Sequence, residues 1–166
     1  MLAAFLAGPA NEATVFRGYC DALFTPRAFG AILDIAAQLP EEPGAILHAD
    51  LLREQLFGQL YRRLQMLRQG AVVVLEDLHW ADEATLDFVR FFGRRISHTR
   101  CLLLATYRDE EVGASHLLNQ ALGDLAGPQL SRLRLPRLST AAVAQLASEA
   151  GQIGRASCRE RVLCVV

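Results

Sequence analysis

The sequence predicts an α/β fold organised on a parallel sheet. Three observations carry that prediction. Val72-Val73-Val74-Leu75 is an unbroken apolar run, mostly β-branched, which suits a strand buried on both faces. Cys101 to Thr106 is a second apolar run, which reads as a buried strand. Stretches with helical spacing separate and follow them, so strands alternate with helices as in βαβ units. The 166 residues, 52% apolar, suffice for one domain with a substantial core.

In chain order, residues 1 to 7 read as the end of a helix stopped by Gly8-Pro9. Thr14 to Cys20 reads as a strand, and Asp21 to Ala28 as irregular chain punctuated by Thr25-Pro26. Phe29 to Leu39 is a short helix ending before Pro40, and Glu41-Glu42-Pro43-Gly44 is a loop. A long helix starts at Asp50. Its Leu52, Leu56, Leu60, Leu64 and Leu67 recur at helical spacing, which leaves its arginines on a solvated face, and Gly70 stops it. After the valine-rich strand, Asp82 is a plausible N-cap for a helix reaching Arg95. Acids in its first turns and Arg94-Arg95 in its last complement the helix dipole, and Leu86, Val89 and Ile96 form part of its core face, with Phe92 nearby. Ser115 to Leu125 is helical up to Gly127-Pro128, Leu133-Arg134-Leu135 is a short strand, and Ser139 to Glu149 is a helix with a Ser/Thr start.

Composition excludes several roles. The net charge is −1, so nothing marks a nucleic-acid or membrane surface. No apolar run approaches the ~18–20 residues of a spanning helix, and the amino terminus lacks a basic leader region, which gives a cytoplasmic reading. The four cysteines, Cys20, Cys101, Cys158 and Cys164, have neither C-x-x-C nor zinc spacing; Cys20 and Cys101 read as buried thiols. All 17 basic residues are arginine.

The chemistry concentrates at the end of the first apolar run, where Val72–Leu75 delivers Glu76 and Asp77. A hydrophobic strand with acids at its carboxyl end is how nucleotide-hydrolysing α/β proteins present carboxylate to Mg²⁺, the Walker B pattern. His79 reads as a hydrogen-bonding spacer, Trp80 as a packing residue and Asp82 as an N-cap. Arg108 follows the second strand, where an arginine can grip phosphate in a bidentate manner; the alternative is a loop arginine paired with Asp109 or Glu110.

Three segments together, VVVLEDLHWAD (72–82), LLLATYRDEEV (102–112) and GYCDALFTPR (18–27), resemble the STAND-type, AAA-like P-loop ATPase domains of LuxR-family bacterial transcriptional regulators, over roughly residues 1 to 150. The resemblance implies a parallel-sheet P-loop NTPase fold, ATP and Mg²⁺ as cofactors, and the other domains of a regulator as partners. It implies Glu76 and Asp77 as the metal-facing acids, with Asp77 orienting the attacking water, and Arg108 as a sensor at the γ-phosphate. Glu76 departs from the Asp commoner at the first acid position.

Phosphate binding in that class uses G-x-x-x-x-G-K-[ST], whose backbone N–H groups wrap the phosphates while the lysine neutralises charge. The chain contains no lysine and no such loop. The resemblance therefore implies a fragment that begins inside the helix after the loop, missing its first strand, which in the related domains lies between the sensor strand and the last strand. At the other end, Ile153 to Val162 (IGRASCRERV) is what one reading frame of a common sequencing adapter encodes. Ile153 to Val162 has no helical or strand period, and the expectation is a partial ATPase domain over 1–151 and a non-native read-through tail over 152–166.

The reading that results is a fragment of an ATP-hydrolysing regulatory switch that does not bind DNA by itself. The competing reading is a non-enzymatic interaction scaffold that keeps the ATPase fold without nucleotide binding.

Overall fold

The structure, a computed structural model, describes residues 5–6, 8, 12–22, 28–40, 53–127, 130–135, 139–150 and 161–165. The expected loop at Glu41–Gly44, the start of the helix at Asp50 and most of the expected helix over 1–7 lie outside these residues. Phe5 and Leu6 are helical.

The elements run β1 (Thr14–Tyr19), α1 (Gly30–Gln38), α2 (Arg53–Gln65), β2 (Ala71–Glu76), α3 (Glu83–Gly93), β3 (Cys101–Tyr107), α4 (Leu117–Asp124), β4 (Leu130–Arg134), α5 (Thr140–Ala150) and β5 (Arg161–Val165). One sheet has the order β1-β2-β3-β5-β4. β1, β2 and β3 are parallel, with Thr14 beside Ala71 and Ala71 beside Cys101. The α/β class and the three-stranded parallel sheet thus agree with the sequence pattern. At the carboxyl end β5 pairs antiparallel with both β3 and β4. Its backbone satisfies the N–H and C=O groups that β3 would otherwise leave open, a demand that any extended segment can meet without side-chain periodicity. Two antiparallel steps leave β4 running in the same direction as β3, one strand-width away.

Alternation along the strands divides the core. Phe16, Val73, Leu75, Leu103 and Ala105 join the cluster shared with α1, α2, α3 and α4. Val72, Val74 and Leu104 face the other way and pack with Leu6, flanked by Phe5, Val15, Leu102 and Leu135. β2 is buried along Ala71–Leu75, as its valines require of a central strand. Phe57 of α2 meets the rings of Phe29, Phe88 and Phe91 at 5.4–6.2 Å between centroids.

α1 lies so close to β1 that a Cβ at Gly18 would stand 2.2 Å from the Ala31 carbonyl oxygen. The same helix closes the outer edge of β1. Arg17 N–H donates to Gln38 Oε1 at 2.9 Å, Gln38 Nε2 donates back to the Arg17 carbonyl, and Tyr19 N–H donates to Asp34 at 3.4 Å.

Two sequence expectations need correction. Arg63 is buried rather than part of a solvated face, and its Nη2 donates to the carbonyls of Leu39 and Pro40. Those carbonyls follow α1 and need donors, which a guanidinium supplies. Cys20 is buried as expected, whereas Cys101, first in its strand, is partly exposed. Among the described residues no helix is long and apolar enough to cross a membrane.

Candidate functional site at the carboxyl ends of β2 and β3

β2 ends at Glu76, and the chain turns at Asp77 in the left-handed region, φ 55°. Asp tolerates this conformation better than most residues, and such backbone clusters at functional sites. The turn is fixed by Asp77 N–H donating to Thr106 Oγ1 of β3 at 3.1 Å. A single 3₁₀ turn, Leu78–Trp80, follows, and Asp82 then caps α3 by accepting from Thr85 N–H at 3.1 Å. The N-cap reading of Asp82 is correct, and Asp82 also accepts from Phe29 N–H at 3.4 Å, tying the starts of α1 and α3 together.

Glu76 is held by Arg17 of the neighbouring strand, Nη1 to Oε1 at 3.1 Å, with both side chains partly exposed. Asp77 lies beside it with a half-exposed carboxylate, 4.0 Å from Nδ1 of His79. His79 is fully enclosed. Burial pushes its imidazole below the ordinary histidine range, against the opposing pull of Glu111 and Asp77. Its Nδ1 accepts from Arg108 N–H at 3.3 Å, so the ring proton sits on Nε2, 3.3 Å from Glu111 Oε2 but out of line for a well-formed hydrogen bond. The His79 carbonyl faces His116 Nε2 at 3.1 Å. His116 is the N-cap of α4 and accepts from Leu118 N–H at its Nδ1, which leaves Nε2–H as the donor to His79.

Arg108 follows β3 directly. Its guanidinium meets Glu111 Oε1 at 2.9 Å and lies 5.3 Å from the centroid of the Trp80 ring. The hydrogen bond from Arg108 holds the Glu111 carboxyl below the usual carboxylate range. The Trp80 ring lies tilted against His79, 4.5 Å between centroids, so it packs as expected and also forms a shelf for the arginine. Cys20, where β1 ends, is pushed up to about 12, first by burial and then by Asp82, Asp77, Asp21 and Asp34. That Coulombic cause describes an acidic rim along the same edge of the sheet.

The structure thus brings Glu76, Asp77 and Arg108 to one edge, on adjacent strand exits. Four neighbours stand outside the residues singled out in the sequence: Arg17, Thr106, Glu111 and His116. Arg17 carries a signal, a lone cation inside a strand, but only the register of β1 on β2 directs it to Glu76. A separate groove of about 420 Å³ lies at the opposite end of the strands, bordered by Ala71, Val72, Ile96, Arg100 and Cys101, away from the acids.

Among the described residues no group of three His, Cys, Asp or Glu side chains could hold a metal ion. Mg²⁺ commonly uses one or two carboxylates and completes its shell with water and substrate phosphates. Glu76 and Asp77 offer two adjacent carboxylates, of which Glu76 is already paired with Arg17. For the phosphates of ATP, Arg108 offers one bidentate donor, and the chain has no lysine to join it.

No protein-family model, no curated protein and no solved structure matches the chain.

Proposed function

We propose that the chain is part of an ATP-binding and ATP-hydrolysing switch domain, the metal-and-water half of a P-loop site. The observation that carries this reading is the acid turn itself. A fully buried parallel strand delivers Glu76 and Asp77 at its carboxyl end, and Arg108 leaves the adjacent strand on the same edge. In that arrangement carboxylate can reach Mg²⁺ held on a nucleotide, Asp77 can orient water, and Arg108 can meet developing phosphate charge. A further support is the place between β3 and β4, one strand wide and flanked by strands of one direction, where the resemblance puts the strand that leads into a phosphate loop. Here β5 takes that place in the opposite direction.

The test begins with the coding sequence upstream of Met1. The reading requires a glycine-rich loop ending in Lys-Ser or Lys-Thr there, within about 20 residues. The chain joined to that segment is expected to hydrolyse MgATP. Asp77→Asn should lower kcat by about 10²–10⁴-fold, the scale of a lost general base. A stop codon at that position, or hydrolysis indifferent to Asp77→Asn, overturns the reading. The chain by itself is expected not to bind ATP with micromolar affinity in a titration of purified monodisperse protein.

The scaffold reading has its own support. Glu76 and Arg108 both find internal partners, Arg17 and Glu111, which is how a site without ligand chemistry would be satisfied. Retained wild-type regulation by an Asp77→Asn regulator would favour it.

A further inference from the structure

The turn after β2 is fastened at three points, to β3, to the turn after β3 and to the start of α4, and two of them belong to one residue. Asp77 N–H donates to Thr106; Arg108 N–H donates to His79 Nδ1; and His116 meets the His79 carbonyl. His79 therefore touches the backbone of Arg108, the start of α4 and, through Nε2, the Glu111 carboxylate that holds the Arg108 guanidinium. Glu111 is shared: Oε1 faces Arg108 and Oε2 faces His79.

We infer that His79 is the positioning residue for Arg108. Its Nδ1 lone pair fixes where the Arg108 backbone leaves β3, and its Nε2 lies 3.3 Å from the carboxylate that parks the guanidinium over Trp80. The division of labour follows from the ring. Only the Nε2–H tautomer can accept from Arg108 N–H while presenting a proton to Glu111. A leucine of similar bulk would fill the enclosed space and do neither.

This role rests on the proposed function for its purpose, since a positioned Arg108 matters where phosphate is bound. Its geometry can be tested without nucleotide. In solution NMR of the full chain, long-range proton–nitrogen spectra are expected to show His79 as the Nε2–H tautomer. Hydrogen exchange at the Arg108 amide is expected to speed up by about fivefold or more in His79→Leu, the scale of one lost hydrogen bond, with Val73 and Val74 amides unchanged. The titration midpoint of Glu111 is expected to rise in His79→Leu toward its value in Arg108→Ala.

Two further variants separate the two nitrogens. His79→Asn places an acceptor near the Nδ1 position and should restore Arg108 protection but not the Glu111 midpoint. His79→Gln reaches the Nε2 position and should do the reverse. A residue that merely fills space would show neither crossed rescue. An Nδ1–H tautomer in the wild type, or His79→Leu leaving both the Arg108 amide and the Glu111 midpoint unmoved, overturns the inference. Should His79→Leu fail to fold, the Asn and Gln pair carries the test, and the same loss in both overturns it. Failure of the ATPase reading has a different signature: no hydrolysis by the chain joined to its upstream segment, with all these NMR responses intact.

Discussion

The two sides of the β2–β3 pair are closed in different ways. On one side β1 is an edge strand, and α1 seals it with side chains: Gln38 gives and takes a hydrogen bond at Arg17, and Asp34 accepts from Tyr19. On the other side β3 pairs antiparallel, backbone to backbone, with β5. The first closure depends on particular residues at particular spacings, with Gly18 admitting the helix and Gln38 and Asp34 one turn apart on it. The second depends on an extended segment being within reach. A side-chain seal is specific to its sequence, whereas a backbone seal can be supplied by many segments.

The largest expected effect tests the specific side. Gly18→Ala puts a methyl group where the Ala31 carbonyl already stands, and backbone cannot give way as a flexible side chain can. The expected loss is about 3 kcal/mol, at the top of the range for overpacked cores, measured by urea unfolding. Next is truncation after Ala150, which removes β5. The comparison predicts a smaller cost than Gly18→Ala, with hydrogen-exchange protection of β2 amides kept at the wild-type level. Loss of that protection would mean that β5 is as specific a partner as α1. Gln38→Ala follows, at about 1 kcal/mol for the net loss of exposed hydrogen bonds. It should also expose the β1 edge, so analytical ultracentrifugation of the variant should show more self-association than wild type.

The smallest effect is silent at neutral pH. The Cys20 thiol, at the end of β1, is raised in the folded chain from 9.0 to about 12. Between those values the unfolded chain gives up the proton while the folded chain keeps it, so stability falls as pH rises through that window. Cys20→Ser is expected to flatten this alkaline decline in a series of unfolding curves. The wild-type thiol should also resist alkylation at pH 8 under folding conditions.

How much was legible follows the same division. β2, β3 and α3 with its Asp82 cap announce themselves locally, because a buried parallel strand must be apolar throughout and a helix start needs an acceptor. Glu76, Asp77 and Arg108 could be placed at strand exits on that basis. Their partners could not. Arg17 reaches Glu76 only through the register of two strands 59 residues apart in sequence, and His116 reaches His79 across 37. β5 differs again: Val162 to Val165 is an apolar run like the one that marks β2, but it lies in the segment read as a non-native tail. Arg63 misled because an arginine on a polar helix stripe looks the same whether it meets water or two carbonyls.

Trp80 is the sole tryptophan of the chain, and it lies between His79 and Arg108. Light absorbed at the red edge of the protein spectrum is therefore emitted from one place, the corner where the two strand exits meet. Protonated or displaced neighbours of an indole change its quantum yield and the colour of its emission. The chain thus has an optical gauge at its candidate site that requires no label, and every substitution at 79, 108 or 111 can be followed by eye of a fluorimeter before any chemistry is attempted.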